Sequence, residues 1–488
     1  MDRVRGFLLV VFTLFLLVVD ASDLVFPVER KFKGPHQSLD AIKTHDANRR
    51  GRFLSAVEIP LGGNGLPSST GLYYTKLGLG SPAKDFYVQV DTGSDILWVN
   101  CVGCTACPKK SGLGMDLTLY NPKASITASV VPCDDEFCTS AYDGPISGCK
   151  KEMSCPYGIT YGDGSTTSGS YVKDALTFDR ISGNLNTTPD NSTTLLLILS
   201  ELSLDDRCGA KQSGTLSSSS DEALDGIIGF GQSNSSVLSQ LAASGKVKRI
   251  FSHCLDSING GGIFSIGEVM EPKYNTTPLV PRMAHYNVIL KDMEVDGDPI
   301  QLPTDIFDSG SGRGTIIDSG TTLAYLPASV YNQIVTKILA RQPGLKLYLV
   351  EDQFTCFHFS KNFDEGFPLV KFFFEGLTLT VFPHDYLFFY KNDVHCIGWQ
   401  KSNTQTKDGK ELILLGDLVL SNKLVVYDLD NMTIGWTDFN CSSSIKIKDD
   451  NESGSVYTVG AKDLSSATTV LTGRILSFLL LIIALLST

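Results

Sequence analysis

Val88-Gln89-Val90-Asp91-Thr92-Gly93-Ser94, leading into Ile96-Leu97-Trp98-Val99, and Thr315-Ile316-Ile317-Asp318-Ser319-Gly320-Thr321, leading into Leu323-Ala324-Tyr325-Leu326, are two versions of one passage. Each reads as an apolar strand, a tight loop of Asp, hydroxyl residue, glycine and hydroxyl residue, and a second apolar segment. Each is followed further on by an apolar pair and a glycine, Ile227-Ile228-Gly229 in one half and Leu414-Leu415-Gly416 in the other. The chain therefore reads as a duplication with one carboxylate loop per half. A third match, Asp308-Ser309-Gly310-Ser311, is set aside because Gly312-Arg313-Gly314 follows it where a buried strand is needed.

The residue types in the repeat point to one chemistry. Two carboxyl groups brought together cannot both ionise cheaply, so they share a proton. One can then act as a base on water while the other donates a proton to the carbonyl under attack. Glycine beside each Asp lets backbone approach closely, and Thr92, Ser94, Ser319 and Thr321 offer hydroxyls that can orient the carboxylates. A nucleophilic serine elbow finds no support, since G-x-S-x-G is absent, and H-E-x-x-H of the zinc proteases is absent too. The reading needs no cofactor and no metal.

Composition narrows the class. The 488 residues are 42% hydrophobic and 19% charged, with 45 glycines in no period, which excludes disorder and collagen and leaves room for two or three domains. A net charge of −12 argues against a nucleic-acid partner. From Leu72 on, apolar runs are short and often alternate with polar residues, as in Leu377-Thr378-Leu379-Thr380-Val381, so the body is expected to be all-β. Short helices are expected at 236–243 and 329–339, and a serine-rich surface loop at 213–220.

Both ends are apolar. Residues 1–21 read as a secretory signal, with the run 7–19 and small residues at Val19-Asp20-Ala21; a signal anchor is the alternative. Residues 22–52 carry a net charge of +3 and leave −15 for everything after them, which suggests a pro-segment (22–70) held to an acidic body by charge. At the other end a polar, small-residue stretch precedes the apolar tail 479–486. This reads as a GPI-attachment signal with Ser465 as candidate anchor residue, a polar stalk at 442–467 and a removed tail at 468–488; a tail helix packed on the body is the alternative. Secretion makes disulfides the natural reading of the 12 cysteines, including Cys101, Cys104 and Cys107. It also fits the sequons headed by Asn186, Asn191, Asn234, Asn275, Asn431, Asn440 and Asn451.

With these residues in hand, the stretch 72–441 resembles the pepsin-like aspartic endopeptidases, and more closely the cysteine-rich nepenthesin-like plant branch of GPI-anchored type. Aspartic proteases are the known case of two carboxyls sharing a proton. The resemblance implies a bilobal, all-β fold with the site in a cleft between lobes at 71–275 and 282–441. It implies Asp91 and Asp318 as the catalytic pair, Ile159-Thr160-Tyr161-Gly162-Asp163-Gly164-Ser165 as a flap, and Tyr161 as the flap tyrosine supported by Trp98. It also implies the pairs Cys101–Cys104, Cys107–Cys208, Cys133–Cys155, Cys138–Cys149, Cys254–Cys441 and Cys356–Cys396. Ser319 in place of threonine and the acid Asp163 in the flap depart from the pepsin pattern, and Asp163 bears on subsite preference. The expected activity is hydrolysis of polypeptides by a secreted, monomeric, membrane-anchored endopeptidase on the extracellular face of the plasma membrane. The alternative is an inactive pepsin-fold protein that binds or inhibits.

Overall fold

The strand Lys84–Asp91 alternates its apolar residues so that Phe86, Val88 and Val90 enter the core, and it carries Asp91 at its end. A computed structural model describes residues 55–104, 106–142, 144–199, 211–217, 223–302, 314–402, 412–449, 454–462 and 464. These fold mainly as short strands with few helices. The strand Gly226–Gly229 lies parallel to Lys84–Asp91, with Gly229 opposite Asp91, and antiparallel to Leu97–Val99. In the second half Ile413–Leu415 lies parallel to Thr315–Ile317 and antiparallel to Ala324–Leu326. The duplicated passage thus folds twice into one arrangement, in which the later apolar pair is threaded between the strands flanking each Asp loop. Gly226–Gly229 is buried on both faces and Ile413–Leu415 nearly so, with Leu414 half-buried, which is why they read as continuous apolar runs.

The halves share a sheet. Ile250–Leu255 from the first pairs antiparallel with Lys423–Asp428 from the second, Phe251 opposite Tyr427. Thr433–Asp438 and Asn275–Pro278 extend that sheet at one side, and Gly262–Ile266 continues it toward the first half. Beneath the loops lies an aromatic cluster: Phe251 stacks on Tyr427 at 4.4 Å between ring centres, Tyr286 meets Tyr427 edge-on at 4.6 Å, and Phe230 and Phe264 close it. Helices form where the sequence places them. Val237–Ala243 is capped by Ser236, whose hydroxyl accepts the Ser239 N–H at 3.2 Å, and Ala328–Ala340 buries Val330, Ile334 and Ile338 at four-residue spacing.

Two segments expected near the ends pack on the body. Within the leader expected at 22–70, the described residues join the sheet. Val57–Glu58 pairs with both Gly262–Ile266 and Thr166–Gly183, and Gly62–Asn64 pairs with Leu72–Leu79, because Ala56, Val57, Ile59 and Leu61 bury their side chains. Within the stalk expected at 442–467, a hairpin likewise packs on the body. Ser444–Lys448 and Val456–Gly460 form a hairpin that adds to Glu268–Glu271. Lysines mask a strict alternation there: Ile445 and Ile447 turn inward while Lys446 reaches Glu271 at 2.7 Å. The signal peptide, residues 22–54, Ser465 and the C-terminal tail lie outside the described residues, and among those described no helix is long and apolar enough to cross a membrane.

Disulfides differ from the implied set in the insertion 101–155. The structure joins Cys104 to Cys107, Cys133 to Cys149 and Cys138 to Cys155, and so corrects Cys101–Cys104, Cys107–Cys208, Cys133–Cys155 and Cys138–Cys149. Cys101 lies in a bridge with Tyr120 that takes it into the core, leaving Cys104 to the equally spaced Cys107. The helix Glu136–Ala141 buries Cys138 beside Cys155, while Cys133 lies against the turn that holds Cys149. Cys254 pairs with Cys441 and Cys356 with Cys396; Cys101 is also bonded, and Cys208 lies outside the described residues.

Candidate active site

Where each strand ends, the two loops interlock. A Cβ placed on Gly93 would stand 2.6 Å from Asp318 Oδ1, and one on Gly320 only 2.0 Å from Asp91 Oδ1. Each glycine therefore leaves the space that the opposite carboxylate fills. The backbones cross-link: Thr92 N donates to Ser319 O at 2.8 Å, and Ser319 N donates to Thr92 Oγ1 at 2.7 Å. Both carboxyl groups are 7% exposed, enough to meet a substrate from one side. Asp91 accepts hydrogen bonds from Gly93 N at 2.8 Å and from the Ser94 hydroxyl; Asp318 accepts from Thr321 Oγ1 at 2.7 Å and Thr92 Oγ1 at 3.4 Å.

Electrostatics follow from that packing. Burial pushes the Asp91 carboxyl above the ordinary carboxylate range, and the neighbouring Asp318 charge pushes it further. Burial also raises Asp318, against the hydrogen bonds from Thr321 and Thr92. The pair is therefore set to hold a proton at a pH where an isolated carboxyl would have lost it.

A flap covers this pair. Pro156–Thr160 and the long strand Thr166–Gly183 form an antiparallel hairpin whose turn carries Tyr161 to Ser165. Trp98 Nε1 donates to Tyr161 Oη at 2.6 Å, and the tyrosine also interacts with Asp91 and the Ser94 side chain. At the tip, Asp163 accepts hydrogen bonds from Ser165 N at 2.9 Å, Ser165 Oγ at 2.7 Å and Thr215 Oγ1 at 2.7 Å. Burial alone would raise its carboxyl, and these bonds outweigh that and hold it below the ordinary range. Its charge acts on Tyr325 of the second half. Lys211–Ser213 pairs with Thr166–Gly183, so the start of the expected surface loop 213–220 instead braces the flap; 218–220 lie outside the described residues.

Sequence reasoning missed a group behind the pair. Asp417 directly follows Leu414-Leu415-Gly416 and is 2% exposed. Burial holds its carboxyl well above the ordinary range; the Ser319 side chain hydrogen-bonds to it, and Asp318 and Asp91 act on it. Its position one residue after the repeated glycine was the available signal. Among the expected glycosylation sites Asn186, Asn234, Asn275, Asn431 and Asn440 are exposed. The Asn191 side chain, Asn451 and Asp308 lie outside the description.

Comparison with known proteins bears on this geometry. Residues 73–268 match the xylanase inhibitor N-terminal family model and 285–438 the xylanase inhibitor C-terminal model. Aspartic proteinase 36 of Arabidopsis thaliana is 51% identical over 99% of this chain and 97% of its own length. Aspartic proteinase 39 of the same plant is 50% identical over 95% and 94%. Aspartic proteinase nepenthesin-2 of Nepenthes gracilis is 27% identical over 81% and 84%. Among solved structures, basic 7S globulin from soybean superposes with a TM-score of 0.58 at 21% identity, covering 79% of this chain and 96% of that one, which speaks to the fold.

Proposed function

Since the chain belongs to the pepsin-like plant aspartic proteinases and is a hydrolase acting on peptide bonds, we propose that Asp91 and Asp318 carry out that hydrolysis as a proton-sharing pair. The observation that carries this reading is the interlock, in which each loop glycine makes room for the other loop's carboxylate. The ionised member draws a proton from a water held between the two, and that water attacks the scissile carbonyl. The protonated member hydrogen-bonds to the carbonyl oxygen and stabilises the charge that develops there. The nitrogen then takes a proton from the pair and leaves, with no covalent intermediate. Tyr161, held by Trp98, closes over an extended peptide in the cleft, and Asp163 brings a negative charge to the subsites under the flap tip.

The decisive experiment is hydrolysis of a peptide library by the purified protein, with a matched peptide carrying a hydroxyl in place of the scissile carbonyl as inhibitor. Cleavage blocked by that analogue, which mimics the tetrahedral state, is the expected result. Tight binding of peptides without turnover would favour the inactive binding module. The cysteine-rich insertion and the likeness to nepenthesin-2 support a place in the nepenthesin-like branch.

Location belongs to the same reading. The signal-like N-terminus, the basic leader, the sequons and the disulfides support secretion as a glycosylated zymogen, and the apolar tail supports replacement by a GPI anchor near Ser465. Because the hairpin ending at Gly460 packs on the body, such an anchor would hold the enzyme close to the membrane rather than on a long tether. Release by phosphatidylinositol-specific phospholipase C tests this; mass-spectrometric detection of the intact tail in the membrane-bound protein would refute it.

A further inference from the structure

The flap is fastened at two points to the strand Leu97–Val99, which is itself paired with Gly226–Gly229 beside Asp91. Only the first, the Trp98–Tyr161 bond, enters the hydrolysis as described. The second starts from Asn100, the buried residue that follows the strand. Asn100 N donates to Asp225 O at 2.7 Å and Asn100 O accepts from Tyr120 N at 2.9 Å, so its backbone is fixed. Its Oδ1 accepts from Nε2 of Gln212, also buried, at 3.2 Å. From there Lys211–Ser213 runs antiparallel to the flap strand Thr166–Gly183, with Ser213 Oγ and Thr166 Oγ1 hydrogen-bonded at 2.6 Å. The next two residues reach the flap turn. Gly214 has φ +67°, and a Cβ there would stand 2.9 Å from both Cα and Cβ of Ser165, so glycine is what admits the contact. Thr215 Oγ1 then donates to Asp163 Oδ2, while Asp163 Oδ1 accepts the N–H and the hydroxyl of Ser165. One carboxylate oxygen serves the turn and the other serves the brace.

We propose that Asp163 and Thr215 are positioning residues for peptide hydrolysis: their hydrogen bond ties the flap turn to the segment 211–217 and so, with the Trp98–Tyr161 bond, orders the flap before substrate binds. The inference rests on the reading of Asp91 and Asp318 as the reacting pair beneath that flap. A hydroxyl bonded to an ionised carboxylate is among the stronger hydrogen bonds. A turn ordered in advance spares binding the entropy of ordering it, equally for the bound substrate and the transition state. Loss of the tie therefore raises KM and leaves kcat nearly unchanged. A merely structural defect would lower the active fraction, and with it the apparent kcat, without moving KM. Thr215→Val removes the tie but keeps the Asp163 charge, which separates this role from any direct attraction between Asp163 and substrate.

The test measures kcat and KM of the full-length protein on a cleaved peptide, with Asp318→Asn beside Thr215→Val, Thr215→Ser, Asp163→Ala and the double variant Asp163→Ala/Thr215→Val. Thr215 is exposed, so its variants are expected to fold. Expected for Thr215→Val is a KM raised about fivefold with kcat within about twofold of wild type. Thr215→Ser, which keeps the hydroxyl, should restore KM to within about twofold of wild type. The double variant should match Asp163→Ala to within about twofold, because both substitutions break the same tie. If Asp163→Ala does not fold, the two Thr215 variants decide alone. An unchanged KM for Thr215→Val overturns the proposal, as does a Thr215→Ser variant as impaired as Thr215→Val, or a double variant in which the two losses multiply. Activity surviving in Asp318→Asn would instead sink the underlying pair; an inactive Asp318→Asn beside an unimpaired Thr215→Val sinks only the tie.

Discussion

The two carboxylate loops are near copies in sequence and backbone, yet they are backed by different chemistry. After its repeated glycine the first has Phe230, packed in the aromatic cluster on Phe251 and Phe264. Ser319 of the second is backed by Asp417, a buried carboxyl beside the pair. Above the loops the contrast repeats. The first half contributes a long hairpin that covers the site, whereas in the second half the strand that follows the Asp loop, Ala324–Leu326, leads directly into the helix Ala328–Ala340. Duplication thus supplies the two acids and their close approach, and divergence of the surroundings supplies what makes them unequal. Two identical carboxyls in identical settings would have no reason to take different roles; unequal environments are what separate acid from base.

The sharpest break in the symmetry argument would be unequal dependence on the two acids. Both Asp91→Asn and Asp318→Asn are expected to lower kcat by about 10³-fold or more, since each removes one proton-transfer partner, with folding retained. Peptide cleavage by the purified variants checks this, and Asp308→Asn should stay near wild type. Survival of activity in one of the paired variants would mean that the loops are not equivalent in the reaction. Next come the glycines. Gly320→Ala would thrust a methyl group into Asp91 and Gly93→Ala one into Asp318, so each should lower kcat by about 100-fold, the former more because its contact is tighter.

Acidity sharpens the comparison further. In the proposed mechanism turnover needs one proton on the pair, and both groups are raised, so activity should be retained above the ordinary carboxylate range and lost as pH rises through the raised values. Asp417 adds a stability effect of the same sign. Its folded-state pKa lies above its unfolded value, so it contributes fully below the unfolded value and the contribution is lost as pH rises. Tm measured against pH should therefore fall less steeply above the ordinary carboxylate range in Asp417→Asn than in the wild type. The smallest effect belongs to the outer hydroxyls. Ser94→Ala and Thr321→Ala each remove one hydrogen bond to a carboxylate and should cost turnover a few-fold, alike for the two if the loops are equivalent.

Much of this was legible from local pattern. Strand, Asp loop and second apolar segment recur within a dozen residues, and their alternation and loop residues are dictated by nearest-neighbour geometry. The all-β class, the two expected helices, Asp91 and Asp318 come from such short-range signals, whereas the flap and the Trp98–Tyr161 partnership come only by resemblance. Tertiary structure decided the rest. Cysteines at equal spacing, Cys101 to Cys104 and Cys104 to Cys107, cannot be told apart until the Cys101–Tyr120 bridge draws one of them into the core. The hairpin in the expected stalk hides because lysines alternate with its two isoleucines, which find their partners only when the strand docks on Glu268–Glu271 and brings them against Ala56, Ile181 and Ile263. Gln212 lies 112 residues from its partner Asn100 along the chain, and Thr215 lies 52 from Asp163. A buried polar group acquires its meaning from the partners that satisfy it, and those partners are chosen by the packing of whole sheets, at a range no local pattern can encode.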